Sequence, residues 1–99
     1  MNLDAEGRKI IGSDPNLIVP WFLMASYLYY HKNLSLFSDE YYDELSKELL
    51  SRWDQVEHRH KHLITKENLI AGSLYNLKEE DYPEICKSAA LSRARELGE

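Results

Sequence analysis

The chain has 99 residues, 43% apolar and 29% charged, a composition that fits one folded domain and excludes a disordered chain. Twelve basic against seventeen acidic side chains leave a net charge of −5, which argues against a general nucleic-acid coat protein that binds by neutralising phosphates. Cys86 is the single cysteine, so there is no disulfide framework and no four-thiolate metal site, and a reducing, cytoplasmic setting is expected.

Residues 1–12 are mixed and acidic, without a basic segment ahead of an apolar run, and read as an N-terminal extension rather than a targeting signal. A single helical domain is expected over residues 13–99. Ser13-Asp14-Pro15-Asn16 carries helix-start chemistry, because Ser and Asp oxygens accept the unpaired first amides. A first helix then runs to about Lys32, starting at Leu17 or at Pro20, which has no amide to donate. The densest apolar run, Leu17 to Tyr30, is broken by Pro20 and Ser26 and falls short of the ~20 apolar residues that cross a bilayer. No membrane contact is expected. Its apolar residues surround nearly the whole circumference, which predicts a helix covered on several sides.

His31 to Phe37 reads as a short connection. Ser38 is an N-cap, with Asp39 and Glu40 in the first turn, where carboxylates suit the helix dipole. The second helix presents Tyr42, Leu45, Leu49, Trp53 and Val56 as one apolar stripe. Thr65 opens a short third helix, Lys66 to Ala71, and Gly72 ends it. Asp81 with Glu84 has capping-box spacing and Pro83 fits a first turn, so a fourth helix runs from Tyr82 to about Leu97. Ile85, Ala89 and Leu97 are expected to face inward, and Ala89, Ala90 and Ala94 to permit close packing. No alternating run predicts a strand. The expected fold is all-α, a small bundle of about four helices with an N-terminal antiparallel helical hairpin.

One region carries a resemblance. Tyr29-Tyr30, a short loop, and then Ser38-Asp39-Glu40-Tyr41-Tyr42-Asp43 resemble domain Ia of NAD-dependent DNA ligases in order and spacing. In that domain a Tyr-(His or Tyr) pair ends one helix and a Ser/Pro-Asp-x-x-Tyr-Asp stretch starts the next. The match covers about a quarter of the chain firmly. It implies that Tyr29, Tyr30, Asp39, Tyr42 and Asp43 bind nicotinamide mononucleotide or NAD. The physics agrees, since aromatic faces hold a flat pyridinium cation and carboxylates accept from ribose hydroxyls or the carboxamide. Ordinary capping and tyrosines covering a core account for the same residues without a ligand. Ser73-Leu74-Tyr75-Asn76 faintly resembles the ligases' Ser-Leu-x-Asn segment near the adenine.

The departures are as informative. There is no Lys-x-Asp-Gly stretch, hence no lysine to carry adenylate, and these residues leave no room for a nucleotidyltransferase domain. No enzyme activity is expected. Val56-Glu57-His58 and His60-Lys61-His62-Leu63 also resemble short stand-alone phage proteins related to the ligases. The expected function is therefore a small non-catalytic phage-type interaction or modulator protein, acting on a host or phage protein complex. The alternatives are a nicotinamide mononucleotide or NAD-binding module and a DNA-binding accessory protein.

His58 and His62 are four apart, so a continued helix would bring both to one metal, with His31 or Glu57 as a third ligand. Arg59 and Lys61 place positive charge there and disfavour a cation. Arg52, Arg59, Lys61 and Lys66 are instead a candidate nucleic-acid or anion patch, against the simpler account of cations complementing a helix C-terminus. Cys86 has no histidine near it in sequence to activate a thiol.

Overall fold

The computed structural model describes residues 2–72, 74 and 77–98. The described residues form five α-helices and no strand. They are α1 (Asp4–Ser13), α2 (Ile18–His31), α3 (Asp39–Ser51), α4 (Lys66–Ala71) and α5 (Glu84–Glu96), with single 3₁₀ turns between some of them. The all-α bundle expected from the sequence is what forms.

Helix α2 is the axis of the molecule. Every residue from Trp21 to Leu28 is buried, because α3 packs on one side and α5 on another. Such full burial stabilises by roughly 1.5–3 kcal/mol per large side chain, and Phe22, Leu23 and Leu28 are completely enclosed. The helix starts at Ile18, running on from the 3₁₀ turn Pro15–Leu17, which Asp14 caps by accepting from the Asn16 amide at 3.2 Å. Pro20 is tolerated because the first amides of a helix have no partner to lose.

The segment before Ser13, where the sequence pattern places no helix, carries α1. Leu3 donates its amide to the Leu36 carbonyl at 2.9 Å. Asp4 accepts from the Ser38 amide at 2.9 Å and from its hydroxyl at 2.6 Å. Gly7 lies so close to the body that a Cβ there would stand 2.9 Å from the Phe37 ring and 3.0 Å from the Tyr41 ring. That approach allows α1 to lie against the α2–α3 connection.

Ser38 caps α3 as expected, accepting from the Tyr41 amide at 3.1 Å. The buried face of α3 is Tyr41, Leu45, Ser46 and Leu49. Tyr42 is half-buried and packs against the core beside that face, and the helix stops at Ser51, so Trp53 and Val56 pack from the turns that follow. Thr65 and Asn68 cap α4 reciprocally, each side chain accepting the other's amide at 3.1 Å, and Gly72 ends it at φ +73°, a left-handed conformation that suits glycine. Ser46 holds α4 to α3 by donating to the Leu69 carbonyl at 2.9 Å.

Two expectations for the last helix are corrected. Asp81 does not cap it; its carboxylate accepts the Lys78 amide at 3.0 Å in a 3₁₀ turn, and α5 begins one residue after Pro83. Ile85 does not face inward but is 70% exposed, because Cys86, Ala90 and Ala94 form the buried stripe against α2. The small size of Ala90 and Ala94 suits that close helix contact. No helix among the described residues is long and apolar enough to cross a membrane.

Candidate functional site

The end of α2 and the start of α3 enclose a half-open cleft of about 230 Å³. Tyr29, Tyr30, Asp39, Tyr42 and Asp43, the five residues singled out in the sequence, all line it. Ala25, Ser35, Leu36, Phe37 and Gly72 complete the lining. Among the described residues no basic side chain does.

Local structure explains the convergence. The last turn of α2 closes where Lys32 and Leu34 both donate to the Leu28 carbonyl, at 3.2 and 2.9 Å. Asn33 takes a positive φ of 56°, within the tolerance of asparagine, and turns the chain back. Leu36 and Phe37 then plug the core, with the Phe37 ring stacked 5.7 Å from Trp21. Ser38 is held between Asp4 and the α3 amides, which fixes where Asp39 and Asp43 emerge.

Tyr42 is the fixed wall of the cleft. Its ring stacks on buried Phe22 at 4.9 Å, and its hydroxyl is 2.6 Å from the Ser26 hydroxyl. Burial pushes the phenol well above its ordinary range, so it stays neutral. Tyr29 lies 6.5 Å from Tyr42 with the rings 29° from parallel, and Tyr30 meets the Tyr29 ring edge-on at 5.0 Å. Both are exposed. Asp43 forms an exposed pair with Lys47 at 2.9 Å, and the Asp39 carboxylate has no partner among the described residues. An aromatic, acidic cleft without a basic group is complementary to a flat organic cation.

The sequence reading missed Asp4, Ser26, Phe37 and Gly72. Asp4 is 34 positions from the Ser38 that it holds, and no local pattern links them. The Ser-Leu-x-Asn echo rests on Ser73, Tyr75 and Asn76, which lie outside the described residues. Leu74 is buried.

The histidine cluster is arranged differently from the metal expectation. Helix α3 ends at Ser51, so His58 and His62 do not share a helix face. His58 Nδ1 accepts the His60 amide at 3.2 Å, His62 Nδ1 is 3.0 Å from the Arg59 carbonyl, and His31 Nε2 is 3.1 Å from the Leu77 carbonyl. Among the described residues no three His, Cys, Asp or Glu side chains are grouped to hold a metal. Within the basic set, Arg52 pairs with Glu48 at 3.9 Å, while Lys61 donates to the Trp53 carbonyl and sits 4.7 Å from its ring centroid. Arg59 and Lys66 have no ion pair among the described residues. Cys86 shares a groove with His58 and His60, yet its thiol bonds to neither, and burial pushes its pKa up.

The chain matches no described protein family, no curated protein and no solved structure.

Proposed function

We propose that this protein is a small non-catalytic binding module whose α2–α3 cleft takes the nicotinamide end of nicotinamide mononucleotide or NAD. The observation that carries the reading is the meeting of Tyr29, Tyr30, Asp39, Tyr42 and Asp43 on one cleft that no basic side chain among the described residues lines. The resemblance of these positions to ligase domain Ia supports the same ligand. A cleft of about 230 Å³ is below the roughly 300–1,000 Å³ of sites that enclose a whole small molecule. It suits the pyridinium ring and part of the ribose, with the phosphate left in solvent, away from Asp39 and Asp43.

The test is a titration of isotope-labelled protein with nicotinamide mononucleotide, read by backbone amide shifts. Saturable shifts confined to residues around Tyr29, Asp39 and Tyr42 are expected. Tyr29→Ala should weaken binding about threefold, the loss of one partly exposed cation–π contact, without unfolding, because Tyr29 is exposed. No response at millimolar ligand rejects the nucleotide reading.

A second reading has its own observation. Ile70 and Ile85 are large apolar side chains left 73% and 70% exposed. They support an interaction protein that buries one or both side chains against a protein partner. Co-purification from host extract that returns no specific protein, with Ile70→Ser and Ile85→Ser variants as controls, rejects it. The third expectation, DNA contact through Arg52, Arg59, Lys61 and Lys66, draws less support, since two of the four cations are already engaged.

A further inference from the structure

A second concavity, which shares no lining residue with the tyrosine cleft, is built from α2, α5 and the turns after α3. Its volume is about 340 Å³. Its apolar part comes from Pro20 and Met24 of α2 and from Ile85, Cys86 and Ala89 of α5. Its polar part is one continuous run, His58-Arg59-His60. Asn16 anchors that run by accepting the Glu57 amide at 2.9 Å.

The polar run is supplied with unused donors. The Arg59 guanidinium has no hydrogen bond or ion pair among the described residues. His58 Nδ1 accepts the His60 amide, so the neutral ring carries its proton on Nε2. No carboxylate among the described residues lines the groove, and Asp14 acts on His58 from outside that lining. One end of the concavity therefore offers N–H donors and positive charge, and the other offers aliphatic and sulfur surface.

We propose that this groove binds a small organic acid with an apolar body, its carboxylate against His58, Arg59 and His60 and its chain over Met24, Ile85 and Ala89. The charge arrangement selects an anion, because a guanidinium and a carboxylate form charge-assisted hydrogen bonds while an ammonium is repelled. The size selects a short acid over a protein partner. The volume is within the small-molecule range of roughly 300–1,000 Å³, and among the described residues the lining has no tyrosine, tryptophan or phenylalanine to anchor a protein interface. Exposed Ile85 is then explained as one wall that a bound chain covers.

Two further facts agree. Burial lowers the pKa of both histidines; His60 and Arg59 add to this on His58, where Asp14 opposes it, and Arg59 and His62 add to it on His60, so both rings stay neutral N–H donors at neutral pH. Met24 and Cys86 are polarizable side chains that adapt to an apolar guest.

The test is a titration of the isotope-labelled chain with sodium octanoate, octylammonium chloride and octan-1-ol, following amide and methionine methyl signals. Octanoate should give saturable shifts at Met24, His58, Arg59, Ile85 and Ala89, with the ammonium inactive and the alcohol much weaker. Arg59→Gln should weaken octanoate about tenfold, as expected for one charge-assisted contact. Ile85→Ser should weaken it as well, and both positions are exposed, so folding is retained. Tyr29→Ala should leave octanoate binding unchanged, which separates this groove from the nucleotide cleft. No saturation, an equal response to octylammonium, or shifts centred on Tyr29 and Tyr42 would overturn the assignment.

Discussion

Two phenols packed on the core, one half-buried and one buried, make opposite predictions. The Tyr42 hydroxyl is satisfied by Ser26 at 2.6 Å, and Ser26 itself is fully buried. Tyr42→Phe therefore strands a serine hydroxyl and should cost about 1–2 kcal/mol of unfolding free energy, within the range for an unmade buried hydrogen bond. The Tyr82 hydroxyl is buried with no partner among the described residues, although its ring packs on Tyr27 and His31, each 5.4 Å away. Tyr82→Phe removes an atom that already carries its desolvation cost, so it should be neutral or stabilise by up to about 1 kcal/mol. Urea denaturation of the two variants side by side checks the pair. A loss at Tyr82 as large as at Tyr42 would mean that its hydroxyl is bonded in solution, through a water or a shifted side chain.

Among the elements, α1 is the one whose role follows from contacts and not from pattern. Gly7→Ala would ordinarily stabilise a helix by about 1 kcal/mol. Here the added methyl meets the Phe37 and Tyr41 rings, which are buried and cannot move aside. A net loss of about 1–2 kcal/mol is expected, in the range for overpacking. Ala in place of Gly12, where a Cβ meets nothing, should keep the helix gain. Thermal melts of the two variants separate close packing from propensity. This helix also marks the limit of what the sequence discloses. Caps and ends were legible where the signal is local, as in Ser38, Thr65 and Gly72. The five cleft residues were legible because they lie within fifteen positions of one another on two adjacent helices. Asp4 and Gly7 were not, because their meaning depends on Ser38, Phe37 and Tyr41, which tertiary folding alone brings near. Ile85 was misplaced for the same reason: α5 has apolar or small residues at both Ile85-Ala89 and Cys86-Ala90, and the close contact with α2 selects the smaller pair.

Over the whole molecule, the net charge of −5 and the histidine groove respond to acid in opposite directions. Lowering the pH from neutrality brings the chain toward its isoelectric point near 5.3 and relieves general repulsion. His58 and His60 act against that. Each is held below the ordinary histidine value of about 6.5, first by burial and then by nearby positive charge, from His60 and Arg59 on His58 and from Arg59 and His62 on His60. Asp14 offsets this only in part for His58. As the pH falls through about 6.5 the unfolded chain binds protons that the folded chain resists, so this contribution is complete above that pH and is lost below it. The carboxylate of Glu79, lowered by its hydrogen bond to Lys32, loses its contribution only at more acid pH, below its own ordinary value. Melting temperatures recorded from pH 7.5 to 5 for the native chain and a His58→Gln, His60→Gln double variant isolate the effect, because both share the same change in general repulsion from the carboxylates. The native chain should lose stability relative to the variant between pH 7 and 5. Parallel curves would mean that solvent reaches both rings as freely in the folded chain as in the unfolded one. Octanoate should reduce the difference, since a carboxylate in the groove raises both histidines back toward their ordinary value and makes acid less costly to the fold.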